Sequence, residues 1–306
     1  MPRPIERGLG GRPAPEWLER PERSNALALR TIVWVAMVLG RPAARLMLHP
    51  ICLYFLATSS RARTASRQYL SKVLGRKAGL ADSWRHYHAF AAIILDRLFL
   101  LKNEFSRFDV RLHGVEIIHE IAAAGTGCVL LGAHLGSFEI IRSAGRARGP
   151  KISMVMYEEN ARKVGAMLEA IDPDLQKEII PLGRVDSILK IEAALARGEI
   201  VGMLADRTLN GGGTVSCQFL GQAARFPTGP IRIAATLKRP MVLMFGLYRG
   251  GNRYEIHFER FADLQQDAGR GRDAMIEQLL QRYAGRLEHY CRLAPYNWFN
   301  FYDFWR

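Results

Sequence analysis

CVLLGAHLGSFEII (Cys128–Ile141) is an apolar run that ends in Gly-Ala-His, with a glutamate five residues after the histidine. A short apolar run next to glycine is typical of a strand buried in the centre of a sheet. We predict this strand over CVLLGA and a helix from about Gly136, so that His134 lies in the turn between them. Ligands of open α/β sheets bind beyond the carboxyl ends of the strands. The stretch therefore predicts a functional site around His134.

The sequence on both sides of this stretch alternates between strand and helix patterns. The segments FDVRLHG, ISMVMY, EIVGML, PMVLMFGLY and YEIHFER are typical of strands, and the last two can pair around RGGNR. Helices are predicted over VEIIHEIAAAG, GSFEIIRSAGRA, ENARKVGAMLEAI, VDSILKIEAALARG and about residues 272–291. This alternation predicts an α/β fold with a mostly parallel mixed sheet flanked by helices.

The composition narrows the possible partners. The 306 residues include 43 basic and 29 acidic side chains, which gives a formal net charge of +14. Such a surplus favours polyanions: nucleic acid, an anionic bilayer, or an acidic carrier or substrate. No motif that interleaves aromatic and basic residues indicates base recognition, so no nucleic-acid partner is predicted. The four cysteines lie far apart, so neither a disulfide framework nor a metal site is predicted, and no cofactor is expected.

The first hundred residues differ in character from the rest. From Arg23 to Ala81 there is no Asp or Glu, but there are ten Lys or Arg around two apolar runs too short to span a bilayer. This pattern predicts helices that lie in the interface of an anionic membrane, and a helical layer with a solvated basic face is the alternative. We divide the chain into an N-terminal arm and helical membrane-associated region, residues 1–104, and an α/β domain, residues 105–306.

The spacing of His134 and Glu139 allows a catalytic pair. The turn before the helix lets the two side chains meet, whereas positions i and i+5 of a continuous helix point in different directions. Glu139 would then fix the histidine tautomer, and His134 would be the general base for a hydroxyl. Ser137 lacks the G-x-S-x-G setting of a serine nucleophile. From the spacing alone, a structural histidine followed by a capping glutamate is equally open.

An ordered set of blocks resembles one family over nearly the whole chain. HLGSFE is similar to the H-x4-D/E block of the lysophospholipid acyltransferase superfamily. The segments LGAHLGSFE, LARGEIVGMLADR, CQFLGQAARFPTGPIRIAATLKRPMVLMF and PYNWFNFYDFW resemble more closely the bacterial lipid A late acyltransferases of the lauroyl/myristoyl type and their relatives. The resemblance implies a glycerol-phosphate-acyltransferase-like fold.

The resemblance also implies a reaction. A fatty acyl chain would move from a thioester of acyl carrier protein or coenzyme A, as co-substrate, to a hydroxyl of a lipid or glycolipid. His134 matches the base of the family and Glu139 its partner. The expected location is the cytoplasmic face of the cell inner membrane, peripheral or monotopic. Substrate contacts are expected from five further residues: Arg184, Asp206, Arg207, Arg225 and Arg232.

Two departures from the family patterns leave the acceptor open. Many lipid A acyltransferases have Asp-Gln where this chain has Asp206-Arg207. The F-P-E-G-T-R-S block of glycerolipid acyltransferases is replaced by FPTGPIR, which lacks the carboxylate. Two other classes of function remain open from the sequence. One is a non-catalytic protein that binds anionic membrane or nucleic acid, and the other is a hydrolase that passes the acyl group to water.

Overall fold

The computed structural model describes residues 26–140, 151–157, 179–183, 186–207, 212–263 and 271–306. The described chain begins with four helices, α1 (Ala26–Val38), α2 (Gly40–Thr58), α3 (Ser60–Leu74) and α4 (Leu80–Leu101). None of the described helices combines the length and apolar composition needed to cross a bilayer.

Strands and helices alternate after this helical region. The strands are β1 (Asp109–His113), β2 (Cys128–Gly132), β3 (Ile152–Tyr157), β4 (Ile179–Leu182), β5 (Ile200–Leu204), β6 (Thr214–Phe219), β7 (Gln222–Pro227), β8 (Met241–Tyr248) and β9 (Arg253–Ala262). The helices are α5 (Val115–Ala124), α6 (Ser187–Ala196), α7 (Gly229–Thr236) and α8 (Arg272–Leu293). The predicted helix ENARKVGAMLEAI lies outside the described residues.

The main sheet has seven strands in the order β1-β9-β8-β2-β5-β3-β4. Only the β8–β9 pair is antiparallel among the described pairs of this sheet, and it is the pair predicted around RGGNR. The predicted α/β fold, with a mostly parallel mixed sheet flanked by helices, is thereby confirmed. The sequence did not predict β4, α7 or the antiparallel hairpin β6–β7, which forms a second, two-stranded sheet.

The central strand β2 contributes to two cores. All five of its residues are buried. Val129 and Leu131 pack into one apolar cluster together with α8, and Cys128 and Leu130 pack into the other together with α2 and α4. Because side chains alternate along a strand, a strand covered on both faces must be apolar throughout. This double burial places the carboxyl end of β2 firmly in the middle of the molecule.

The aromatic C-terminal segment docks onto this framework. Trp298 is completely buried and its ring contacts Tyr69, Phe219 and Phe304. The backbone N–H of Phe299 donates to the carbonyl of His134 (2.8 Å). The last residues of the chain therefore lie directly against the turn that follows β2.

Candidate active site

His134 and Asp206 lie side by side at the carboxyl ends of two neighbouring strands. β2 and β5 are parallel, and Gly132 is paired with Leu204 at the end of their register. His134 and Asp206 are each two residues beyond that pair. Parallel strands in register carry such equivalent positions to the same edge of the sheet. The result is a hydrogen bond of 2.8 Å between His134 Nδ1 and Asp206 Oδ1.

The carboxylate of Asp206 accepts four N–H groups. Besides the imidazole, the donors are the backbone N–H of His134 (3.0 Å), the indole Nε1 of Trp298 (2.9 Å) and the amide Nδ2 of Asn300 (2.9 Å). An ionised carboxylate accepts only, so the proton of the imidazole is on Nδ1. Nε2 of His134 therefore keeps its lone pair. This is the tautomer that a general base requires.

The turn between β2 and the next helix is held on both sides. Gly136 donates its N–H to Asn297 (2.8 Å), and Ser137 donates its N–H to Gly246 of β8 (2.8 Å). Gly136 has φ +66°, and a Cβ there would lie 1.8 Å from the carbonyl oxygen of Gly246. No other residue fits this position without backbone movement. These contacts delay the helix: helical backbone begins at Glu139 and not at about Gly136 as predicted.

Burial and the neighbouring charges both shift the pKa values of His134 and Asp206. Burial lowers the pKa of His134, the neighbouring Arg207 lowers it further, and Asp206 opposes both. Burial alone would raise the pKa of Asp206, but the hydrogen bonds and charges of His134 and Arg207 outweigh it and lower this pKa to about 2. At neutral pH the pair is therefore a carboxylate beside a neutral imidazole. The imidazole side chain is 28% exposed, so it remains accessible.

The predicted pairing of Glu139 with His134 is wrong in its geometry. Glu139 is buried and forms an ion pair with Arg97 of α4. The hydrogen bond of the His134 imidazole within the described residues goes to Asp206 instead. Gly136 turns the chain in the left-handed conformation, and helical backbone begins only at Glu139, whose carboxylate is directed to α4 and not to the imidazole. Asp206 was predicted to contact substrate, but it is fully buried and supports His134 from behind.

Glu139→Gln tests which carboxylate serves the histidine. If the reaction is the acyl transfer that the resemblance implies, we expect its rate to stay within about tenfold of wild type, with an unchanged acid limb of the pH–rate profile, because Asp206 keeps the tautomer. The variant should lose about 1–2 kcal/mol of stability through the weakened contact with Arg97. Initial rates over a pH series and a urea unfolding curve provide both values. A loss as large as that of a histidine variant would restore Glu139 as the partner.

The predicted arginines are not gathered at one point. Arg207 follows Asp206 and is tied to the C-terminal segment, with Nε donating to Asn300 Oδ1 (2.7 Å). Arg225 is exposed on β7. Arg232 of α7 forms an ion pair with Asp273 of α8 (2.7 Å). Arg184 lies outside the described residues. Of these four, Arg207 is therefore the one that the described structure places beside the histidine.

Trp298 and Asn300 are parts of the site that sequence reasoning did not identify as such. They lie in the segment PYNWFNFYDFW, from which no site residue was predicted. A signal was present, since a buried Trp or Asn needs a hydrogen-bond acceptor. The position of that acceptor depends on the fold. Asp206 supplies it for both side chains.

A separate cavity of about 480 Å³ lies at the other end of the strands. Its lining includes Thr126, just before β2, and Met241 at the start of β8. Because β2 and β8 are parallel, their first residues lie at the edge opposite His134. This cavity is therefore not part of the candidate site.

The strand-end histidine, neutral and oriented by a buried carboxylate, is an arrangement suited to acid–base chemistry on an α/β sheet. The chain belongs to the bacterial lipid A biosynthesis acyltransferase family, whose model matches residues 20–306. It is thus an acyltransferase of lipid biosynthesis, as the resemblance implied, and the non-catalytic and hydrolase alternatives are not retained.

Two other comparisons add little. A crystal structure of 1-acyl-sn-glycerophosphate acyltransferase from Thermotoga maritima is similar with a TM-score of 0.39 and 16% sequence identity, over 80% of this chain and 96% of that one. At that score the likeness supports no conclusion. No curated protein gives a significant match to the sequence.

Proposed function

We propose that the protein transfers a fatty acyl chain from a thioester to a hydroxyl of a lipid or glycolipid, with His134 as the general base and Asp206 as its partner. One observation carries this proposal. The Nδ1–H of His134 is committed to a buried carboxylate, which leaves Nε2 as a free base at the ligand-binding edge of the sheet. Such a base contributes about 10²–10⁴-fold to a rate.

The reaction needs no covalent acyl-enzyme. The acceptor O–H gives its proton to Nε2 of His134, and the oxygen attacks the carbonyl carbon of the thioester. The resulting oxyanion collapses, the C–S bond breaks, and the thiolate takes the proton back from the imidazolium. Asp206 stabilises the imidazolium in between without taking the proton, because its pKa is only about 2.

Arg207 is the candidate for binding negative charge beside the base. Its guanidinium is held by the side chain of Asn300 and by the carbonyl of Phe299 (3.1 Å). A cation fixed in this way stabilises an oxyanion, or an anionic head group, without reorganising during the reaction. The same charge keeps His134 neutral. One residue thus serves both the base and the substrate.

The donor is proposed to be acyl carrier protein or acyl-coenzyme A, both of which are anionic. The formal charge of +14 favours either one electrostatically. The acceptor is a lipid or glycolipid hydroxyl, and Asp206-Arg207 replaces the Asp-Gln of many lipid A acyltransferases. Since the residue next to the base differs, the acceptor has to be determined by experiment.

An anionic membrane surface is the proposed docking partner of α1 and α2. Leu39, Leu46 and Leu53 are spaced by seven residues, about two helical turns, and are 60%, 72% and 62% exposed. Trp34 and Val38 are equally exposed on α1. An apolar surface of this kind on a segment without acidic residues is typical of a helix that lies in an anionic interface.

Part of the basic charge of this segment is used internally. Arg41 forms a bidentate pair with the buried Asp96 (2.7 and 2.8 Å), and Arg76 pairs with Asp82 (2.8 Å). In each of these pairs the carboxylate neutralises the charge of the guanidinium. Other basic residues of the segment, such as Arg61, are exposed and remain available to an anionic surface.

The double variant Leu46→Glu/Leu53→Glu tests this surface. Each exposed leucine that enters the bilayer interface contributes about 1.5–3 kcal/mol, so the pair should weaken binding to anionic vesicles by about 10²-fold or more. Co-sedimentation with phosphatidylglycerol vesicles measures it. Leu189→Glu, at a 65% exposed leucine of α6, is the matched control and should bind as wild type. Equal binding by the double variant would place the membrane contact elsewhere.

The reaction itself is tested by product analysis. The protein is incubated with membranes and either labelled acyl carrier protein thioester or labelled acyl-coenzyme A, and the lipids are read by mass spectrometry. A new acylated lipid that forms in step with free thiol supports the proposal and identifies donor and acceptor together. Thiol release without an acylated lipid, or no reaction with either donor, contradicts it.

The pH dependence follows from the lowered pKa of His134. A base works when it is neutral, so kcat/KM should stay constant at neutral pH and fall only when acid protonates the imidazole. Because burial and Arg207 lower the pKa, the midpoint should lie below 6.5. Arg207→Gln removes the neighbouring charge, so its midpoint should move upward. A wild-type midpoint above 6.5 would contradict the assignment.

A further inference from the structure

Three side chains with metal-ligating atoms meet on the outer strands of the sheet. His113 ends the edge strand β1, and its register partner on the parallel strand β9 is His257. Glu255 lies two residues before His257 and so projects from the same face of β9. One ligand atom from each of the three lies within 4.8 Å of the other two. The chain segments that supply them are remote in sequence, so no motif spacing indicates the cluster.

The rings of the two histidines are stacked face to face, so one of them has to turn before both can direct a nitrogen at the same ion. Their ring centroids are 4.5 Å apart and the rings are inclined by only 7°. Nε2 of His257 is buried and has no hydrogen-bond partner among the described residues. It lies 3.7 Å from Oε2 of Glu255, beyond hydrogen-bond distance. A buried ring nitrogen without a partner is costly, and a metal ion would satisfy it.

The surroundings of the cluster hold the carboxylate of Glu255 in place. Arg249 donates from Nε to Oε2 of Glu255 (2.8 Å) and from a second nitrogen to the carbonyl of Leu293 (3.0 Å). The other oxygen of Glu255 accepts no hydrogen bond in the described structure. Carboxylates that bind metals are commonly oriented by such an outer partner.

We propose that His113, Glu255 and His257 form a binding site for a divalent transition metal of the zinc type. Two imidazoles and one carboxylate are ligands that Zn²⁺ accepts, with water in the fourth position. Zinc bonds of about 2.0–2.1 Å in tetrahedral geometry would bring the ligand atoms to about 3.4 Å from one another. His113 is exposed and can make this movement.

The site would fasten the edge strand β1 to β9. β1 pairs with a single strand in the described sheet, so it is an edge held only by its pairing with β9 and by side-chain packing. A metal shared by one ligand from β1 and two from β9 would add a cross-link at the carboxyl end of that pair. Metal binding and the stability of the fold would then be coupled.

The cysteine thiols of the chain compete only weakly with this cluster for zinc. All four cysteines are buried, and burial raises the pKa of Cys52 and Cys217 to about 11. A thiol must lose its proton to bind a metal, so these side chains are poor ligands in the folded protein. His119, exposed on α5 and outside the cluster, is available as a matched control.

The test is a zinc titration of the untagged full-length protein after treatment with a chelator. Calorimetry should show one equivalent bound in wild type and in His119→Gln. His113→Gln and His257→Gln should each bind at least about tenfold more weakly. Thermal unfolding should shift upward on zinc addition in the first two proteins only. Mg²⁺, which prefers oxygen ligands, should not compete.

His113→Gln removes an exposed ligand, so a folding defect cannot account for its result, and Co²⁺ absorption provides an independent readout of the ligand set. Loss of the cobalt spectrum in His113→Gln, with His119→Gln unaffected, supports the site. The proposal is overturned by the absence of stoichiometric zinc binding in wild type, or by unchanged binding in both cluster variants. Neither result depends on the acyl-transfer reaction.

Discussion

Replacing His134 with alanine is expected to lower acyl transfer by about 10²–10⁴-fold, the usual contribution of a general base. The variant removes the one group at this edge whose tautomer is set for taking a proton from a hydroxyl. The loss should fall on kcat, because the imidazole acts on the reacting atoms and contributes little to binding of the long acyl chain. Initial rates with a labelled thioester donor and saturating membranes measure it.

Two controls make the histidine result specific. The His134 side chain is partly exposed, so its alanine variant should keep the far-ultraviolet circular dichroism of wild type. Ser137→Ala removes a hydroxyl that lies three residues away, is almost completely buried and accepts the N–H of Ile140 (3.4 Å). That variant should transfer acyl groups normally, because no serine nucleophile is involved. Wild-type rates for His134→Ala would refute the proposed mechanism.

Asp206→Asn is expected to reduce both the rate and the stability. Asparagine cannot accept four N–H groups, and its NH₂ group would face another donor wherever it points. Misoriented imidazole should lower kcat by about 10²–10⁴-fold, as loss of the orienting carboxylate does in acid–base dyads. Breaking a buried, charged hydrogen-bond network should cost about 3–5 kcal/mol of stability.

The control for Asp206→Asn is Tyr283→Phe. The buried Tyr283 hydroxyl donates to the carbonyl of Gly132 (2.7 Å), the last residue of β2. Its removal should cost about 1 kcal/mol and leave kcat unchanged, because it touches neither member of the pair. Urea unfolding and rate measurements on both variants separate stability from chemistry. If Asp206→Asn loses stability but keeps the rate, Asp206 is only structural.

The fold could be predicted well wherever one local pattern determined the element. CVLLGA and EIVGML are strands because continuous apolar runs suit only a sheet covered on both faces. VEIIHEIAAAG ends where predicted, because Gly125 adopts φ +62° at the helix terminus. The hairpin β6–β7 was not predicted because Leu220, which adopts φ +50° in its two-residue turn, is not a typical turn residue, and Gly221 alone was a weak signal.

The candidate site, like the fold, could be predicted only in part from the sequence. His134 could be found because it follows a recognisable central strand. Its partner could not be found from the five-residue spacing to Glu139, which measures distance along the chain and not across the sheet. The partner of His134 could have been found from a different spacing, the distance of each polar residue from the start of its strand. In CVLLGAH and in IVGMLAD, the polar residue follows its strand at the same distance, so parallel pairing in register must bring the two together.

The sequence by itself determined the α/β class, the acyltransferase family and the position of the proposed base, because apolar patterns and ordered motifs are local properties of the chain. Only the tertiary structure decided that Asp206 takes the imidazole N–H, that Glu139 binds Arg97, and that Trp298 and Asn300 complete the site. Those contacts join residues that are remote in the chain. They depend on strand register and on the docking of the C-terminal segment, both of which are set by packing over the whole molecule.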